Sequence, residues 1–250
     1  MDLFQLFSLP SWGMIFLAAF FIGLAKAGLK GIDMLSVTLM AIVFGGKSST
    51  GIVLPLLSAA DIAAVTYYNR HAQWKHFWKL IPWMVVGILM GVYAGKDMNE
   101  AVFRKVMAVI ILITIIIVLY QEYRRSREVP SHPLFAAGTG LAAGFTTMIG
   151  NLAGAFSNLY FLAMRMQKND FIGTAAWVFL SMNLFKMPFQ IFYWHNINKQ
   201  SLLIDVALLP SLAIGFWLGI HIVGRIHDEH YRKLVIGLTL VGAIMMLLRH

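Results

Sequence analysis

The chain has 250 residues, 59% of them hydrophobic and 12% charged, with a mean hydropathy of +0.74 and a formal net charge of +9. So much apolar surface exceeds what a soluble domain of this size buries, and a bilayer is the expected solvent. The chain has no cysteine, which excludes disulfides, thiolate catalysis and cysteine-ligated metal or iron–sulfur centres. Its basic residues lie in short loops between apolar stretches, as membrane orientation requires, and no basic stripe with interleaved aromatics is left to bind nucleic acid.

The first apolar stretch, 9–25, follows no basic leader and ends in no Ala-x-Ala site, so it reads as a membrane segment rather than a signal peptide. With 31–44 it forms a pair of short segments (11–25 and 31–44), separated by Gly28-Leu29-Lys30-Gly31. Three longer spans follow at 51–68, 80–95 and 106–120, each near the length of about 18–20 residues that crosses a bilayer once amphipathic flanks are added. A polar run, 121–133, carries Arg124, Arg125, Arg127 and Glu128 and divides the chain nearly in half. Beyond it the pattern recurs, with short segments 134–149 and 152–164 around Gly150-Asn151-Leu152-Ala153-Gly154, then spans 171–194, 202–223 and 234–248.

The recurrence is visible in the residues themselves. Pro82, Gly87, Gly91, Arg104 and Lys105 match Pro210, Gly215, Gly219, Arg232 and Lys233 at an offset of 128. Nearer the start of each half the offset is 122, pairing Gly28 with Gly150, Gly51 with Gly173 and Asp61 with Asn183. An odd number of crossings per half makes the halves inverted relative to each other. The expected fold is therefore an all-α integral membrane protein of two inverted repeats. Each is a broken short-helix pair plus three transmembrane helices, about eight to ten membrane segments in all. The first repeat is 1–120, the linker 121–133 and the second repeat 134–250. Eleven Lys and Arg lie on the linker's side and six on the other, which places the linker in the cytoplasm and both termini outside.

Three cations remain inside apolar segments: Lys26, Lys30 and Lys186. Each costs about 2.5–3.5 kcal/mol to insert, so each needs a use or a partner. Lys26 and Lys30 flank the first glycine break, where helix ends offer unpaired N–H groups, and together they suit an anion; a lysine that snorkels to an interface or pairs with an acid is the alternative. Asp61 and Lys186 lie at related depths and are expected to pair, as structural glue or as a proton-linked switch. Asp33 is expected to cap the second short helix. Asn151, Ser157 and Asn158 at the second break offer neutral donors that suit an oxyanion as well as helix packing. His221 reads as a packed, hydrogen-bonded side chain, and the two Gly-x3-Gly pairs as close helix contacts. No hydrolase, metalloprotease, Walker or dinucleotide motif is present, so an enzyme is not expected and any pumping draws on a gradient.

The glycine break after a short first helix, the Lys47-Ser-Ser-Thr-Gly51 helix start, the loop ending in Gln73-Trp74-Lys75, and Pro82-x4-Gly87-x3-Gly91, all within a repeated unit, resemble the TauE/SafE family of sulfite and organosulfur anion exporters. The resemblance covers nearly the whole chain. It implies two homologous halves that move small sulfur oxyanions across the cytoplasmic membrane. Where that family carries a run of glycines, this chain has Gly28-Leu29-Lys30-Gly31-Ile32-Asp33 and Gly150-Asn151-Leu152-Ala153-Gly154, and the added side chains bear on the substrate. The expected site is Lys26, Gly28, Lys30, Gly31, Gly150, Asn151, Gly154 and Asn158, with Asp61, Asn183 and Lys186 as an ion pair or coupling group. The expected partners are a small anionic substrate and the lipid bilayer of an inner membrane, with a homo-oligomer left open; no metal, cofactor or nucleic acid is expected. A channel, a carboxylate transporter, a membrane enzyme and an assembly factor are the alternatives.

Overall fold

The computed structural model describes residues 7–99, 101–103, 105–106, 109–110, 112–113, 116 and 132–248. Among these every regular element is helical: α1 (Leu9–Lys26), α2 (Asp33–Phe44), α3 (Gly46–Ile52), α4 (Leu54–Tyr68), α5 (Trp74–Lys96), α6 (Pro133–Gly150), α7 (Ala153–Ala163), α8 (Lys168–Pro188), α9 (Lys199–Gly224) and α10 (Asp228–Leu248). Most of the expected span 106–120 and all but the end of the linker 121–133 lie outside the described residues.

By length and hydropathy α1, α5 and α9 suffice to cross a membrane, and α2 with α3 makes a fourth candidate if that pair, bent by 113°, is one span. Local chemistry sets the boundaries. Gly45, at φ 85°, takes a conformation that side chains resist and so bends α2 away from α3. Pro55 lacks the N–H that would continue the ladder, and α3 and α4 are separate helices where one span from residue 51 was expected. Asn198 and Ser201 form a reciprocal capping box that starts α9. A five-residue π turn, Phe189–Tyr193, extends α8.

Helix packing follows the small residues. A Cβ on Gly87 would fall on the backbone of Leu141 and Phe145 in α6, and one on Gly91 would meet Met148. One on Gly215 would fall on the backbone of Phe20 in α1, and one on Gly219 would meet Leu24 and Ala27. Each Gly-x3-Gly pair thus lets its helix approach the first helix of the other half closely enough for backbone contact, the packing that drives association in lipid. The outer faces of α5 and α9 expose Trp78, Trp83, Tyr93, Leu203 and Trp217, as lipid contact demands. Residues 153–161 of α7 are buried throughout, so this short helix sits inside the bundle.

Candidate functional site

The first break is built by two glycines. Gly28 (φ 126°) and Gly31 (φ 101°) turn the chain between α1 and α2. The carbonyls released there are satisfied by distant tyrosines: Tyr68 Oη donates to Ala27 O at 2.9 Å and Tyr231 Oη to Gly28 O at 2.7 Å. Irregular backbone at membrane depth is tolerated only with such partners. Asp33 does not cap α2 as expected. It is the first helical residue, the cap position is Ile32, and its Oδ1 instead accepts the Gly31 N–H at 2.9 Å, bracing the turn.

The second break uses an asparagine where glycine was expected to take positive φ. Gly150 closes α6, and Asn151 adopts the left-handed conformation at φ 56°, which asparagine tolerates better than most residues. Its side chain ties two elements together: Nδ2 donates to Thr50 O at 3.0 Å, and Oδ1 accepts from Lys186 Nζ at 2.5 Å. Lys186, fully buried in α8, also donates to Thr147 O and Oγ1, both at 3.0 Å. An ammonium against the last turn of α6 meets the negative end of that helix's dipole.

Asp61 on α4 is fully buried and pairs with Lys26 Nζ at 2.5 Å through Oδ1, while Oδ2 accepts from Asn183 Nδ2 at 2.6 Å. The expected Asp61–Lys186 pair is therefore replaced. Lys26 and Asn183 occupy both carboxylate oxygens, and Lys186, one turn beyond Asn183, reaches α6 instead. Asp61 and Asn183 are the two residues matched at offset 122, and here they touch.

Both breaks open onto one cavity of ≈ 30 Å³, lined from the first by Lys26, Asp33 and Ser36 and from the second by Asn151, Ala153 and Gly154. That space is on the scale of two or three waters, at roughly 10–15 Å³ each. Asn183 and Thr147 complete the polar part of the wall, and Phe179 presents its ring beside them. Three helices, α2, α4 and α7, present their first turns to it, and none has a side-chain cap. Some of the first-turn N–H groups already have acceptors, Met34 and Leu35 on Gly31 O and Ile32 O and Ala155 on Leu152 O, and Pro55 has none to give. The partial positive charge of the three helix starts remains, and its convergence favours an anion.

Other expected residues lie elsewhere. Lys30 is 2% exposed and does not line the cavity; its ammonium lies 5.3 Å from the centre of the Phe179 ring, over which Lys26 Nζ also sits at 4.8 Å. A Cβ on Gly28 would meet Ile172 and Val223, and one on Gly31 would meet the backbone of Leu238 and Thr239, so both glycines serve the turn and close packing. Asn158 is buried in α7 with its Oδ1 unpartnered, as is Ser157 Oγ. His221 is exposed, but it is hydrogen-bonded as expected, its Nδ1 donating to Trp217 O at 2.7 Å with its ring centre 4.5 Å from that of the Trp217 ring. Sequence reasoning missed Ser36, Thr147 and Phe179, which have no signal until the breaks meet. It also missed Asp205, an acid within the apolar span 202–223, which is buried with Oδ2 unpartnered.

A model of the TauE/SafE sulfite exporter family matches residues 15–246, nearly the full chain. The chain belongs to the TauE/SafE family. Neither the curated proteins nor the solved structures contain a match to it. TauE/SafE membership, with the apolar helices α1, α5 and α9, makes this a multi-pass membrane protein of an anion-exporter family. TauE/SafE is a family of transporters.

Proposed function

We propose that this protein is a secondary exporter of a small sulfur oxyanion, sulfite or an organosulfonate, working by alternating access at the cavity between the two helix breaks. The convergence of three uncapped helix N-termini on that cavity carries the reading. Charge supports it. Lys26, Lys30 and Lys186 against Asp33 and Asp61 leave one formal positive charge around the site, which a bound monoanion neutralises in a low-dielectric interior. Lys26 is already paired, so the substrate's charge is met by the helix ends and by Lys186 acting through Asn151 and Thr147. Lys30, Gly28, Gly31, Gly150 and Asn158 shape the breaks from outside the cavity.

The mechanism rests on two inverted repeats, 1–120 and 134–250, joined by a cytoplasmic linker, with the termini outside an inner membrane. Residues matched between repeats touch each other only near a two-fold axis, and the Asp61–Asn183 hydrogen bond supports such an axis at the cavity. Rocking the α1–α9 and α5–α6 contacts about it would expose the site alternately to each face. Proteoliposomes loaded with sulfite test this. Efflux that saturates and responds to an imposed proton or sodium gradient is expected. Flux indifferent to any gradient would make the protein a channel, and selective flux of carboxylates over sulfite would replace the substrate class.

A further inference from the structure

A continuous file of polar side chains runs from the cavity toward the face that carries Lys47, Lys96 and Lys199. Asn151 on the cavity wall donates to Thr50 O at 3.0 Å. Thr50 Oγ1 accepts from Gln190 Nε2 at 3.3 Å, and Gln190 Oε1 accepts from Asn196 Nδ2 at 3.0 Å. Asn196 Nδ2 also reaches Lys47 O at 3.4 Å, at the half-exposed end of α3. Gln190 is fully buried and Thr50 is 2% exposed. Buried polar groups are tolerated when they are hydrogen-bonded, and these bond one another, which keeps a polar strip through an otherwise apolar interior.

The matching positions of the other half make the opposite choice. At the offset of 122, Thr50 corresponds to Ile172 and Gln190 to Tyr68. Gly51 lies against Gln190 and Asn196, and its counterpart Gly173 lies against Tyr68 and His71, so the two assemblies are equivalent in packing. One is filled by Ile172 and Tyr68, with Phe161, Phe171 and Tyr231 packed edge to face behind. In the other, the matching positions carry hydrogen-bonding side chains. Gln190 also stands in the π turn, where the helix ladder is loosened, a geometry that recurs at functional sites.

We propose that Thr50, Gln190 and Asn196 form an outer station through which the anion leaves the cavity toward the Lys47 face, the amide and hydroxyl donors replacing part of its hydration on the way. This rests on the transport reading above. The native chain has no cysteine, so single Gln190→Cys and Asn196→Cys variants give clean reporters. Each is reconstituted, given methanesulfonate, an organosulfonate that does not react with thiosulfonates, and treated with a membrane-impermeant sulfonate-bearing thiosulfonate from one side at a time. Labelling from the Lys47 face alone, accelerated at least tenfold during methanesulfonate efflux, is expected. Labelling from the opposite face, or no labelling in a variant that still exports methanesulfonate, overturns the route. Where a cysteine variant does not fold, Gly51→Ala supplies the test, because its Cβ would lie 2.8 Å from Gln190 Oε1 and closer still to Asn196. Sulfite should still raise its melting temperature, while efflux falls at least tenfold; unchanged efflux refutes the route. A wild-type protein that neither binds nor exports sulfite counts instead against the transport reading.

Discussion

Replacing Asp61 by alanine isolates the buried ion pair. The substitution leaves the Lys26 ammonium with the Phe179 face at 4.8 Å and no carboxylate, and it strips the Asn183 amide of its acceptor. Breaking a buried pair by removing one partner costs about 3–5 kcal/mol, and an orphaned amide donor adds about 1–3 kcal/mol. Because Lys26 borders the cavity, water there can solvate part of its charge, which holds the total near about 3–5 kcal/mol. At roughly 2–4 °C per kcal/mol for a chain of this size, the melting temperature should fall by about 6–20 °C. The double variant Lys26→Met/Asp61→Leu removes both charges and should recover to within about 1–2 kcal/mol of wild type, since an apolar pair often replaces a buried ion pair without loss. Thermal unfolding of purified protein in detergent reads both. A single variant within about 1 kcal/mol of wild type, or a double variant as unstable as the single, refutes a structural role for the pair.

Other substitutions probe the scaffold and the cavity. Gly87→Ala and Gly215→Ala place a methyl on a neighbouring helix backbone and should destabilise markedly, whereas Gly138→Ala, whose new methyl meets nothing within 4 Å, should gain about 0.5–1 kcal/mol; thermal unfolding of the three separates close contact from helix propensity. Asn151→Gly keeps the left-handed turn and should fold, while Asn151→Ala should lose a further 1–2 kcal/mol or so to backbone strain; both should weaken sulfite binding in a calorimetric titration. Lys186→Met should bind sulfite at least tenfold more weakly yet remain folded, with circular dichroism as the control. Tyr231→Phe removes one of the two donors to the Gly28 carbonyl, leaving the Lys30 N–H at 2.8 Å, and should cost about 0.5–1.5 kcal/mol in chemical unfolding.

Much of the helix layout is readable from the sequence, because apolar length and glycine breaks are local signals. The short segments read at 11–25, 31–44, 134–149 and 152–164 lie within two residues of the ends of α1, α2, α6 and α7. The separation of α3 from α4 was missed, although Pro55 was available as its mark. The site was less legible. That Lys26 rather than Lys186 takes Asp61 depends on where three helices cross, which spacing along one helix does not encode. Asn151 as the left-handed residue was hidden by two flanking glycines that looked better suited to the role. The polar file through Thr50, Gln190 and Asn196 joins residues about 140 apart in sequence and emerges only once α3 is seen to bend against the π turn.

Occupancy of the cavity is measured most directly with selenite, a heavier isostere of sulfite that scatters anomalously in a crystal. The anomalous peak should lie within hydrogen-bond reach of Asn151 and the first turn of α7. A peak confined to the protein surface, in crystals of protein shown to export selenite, would mean that the helix breaks hold no substrate.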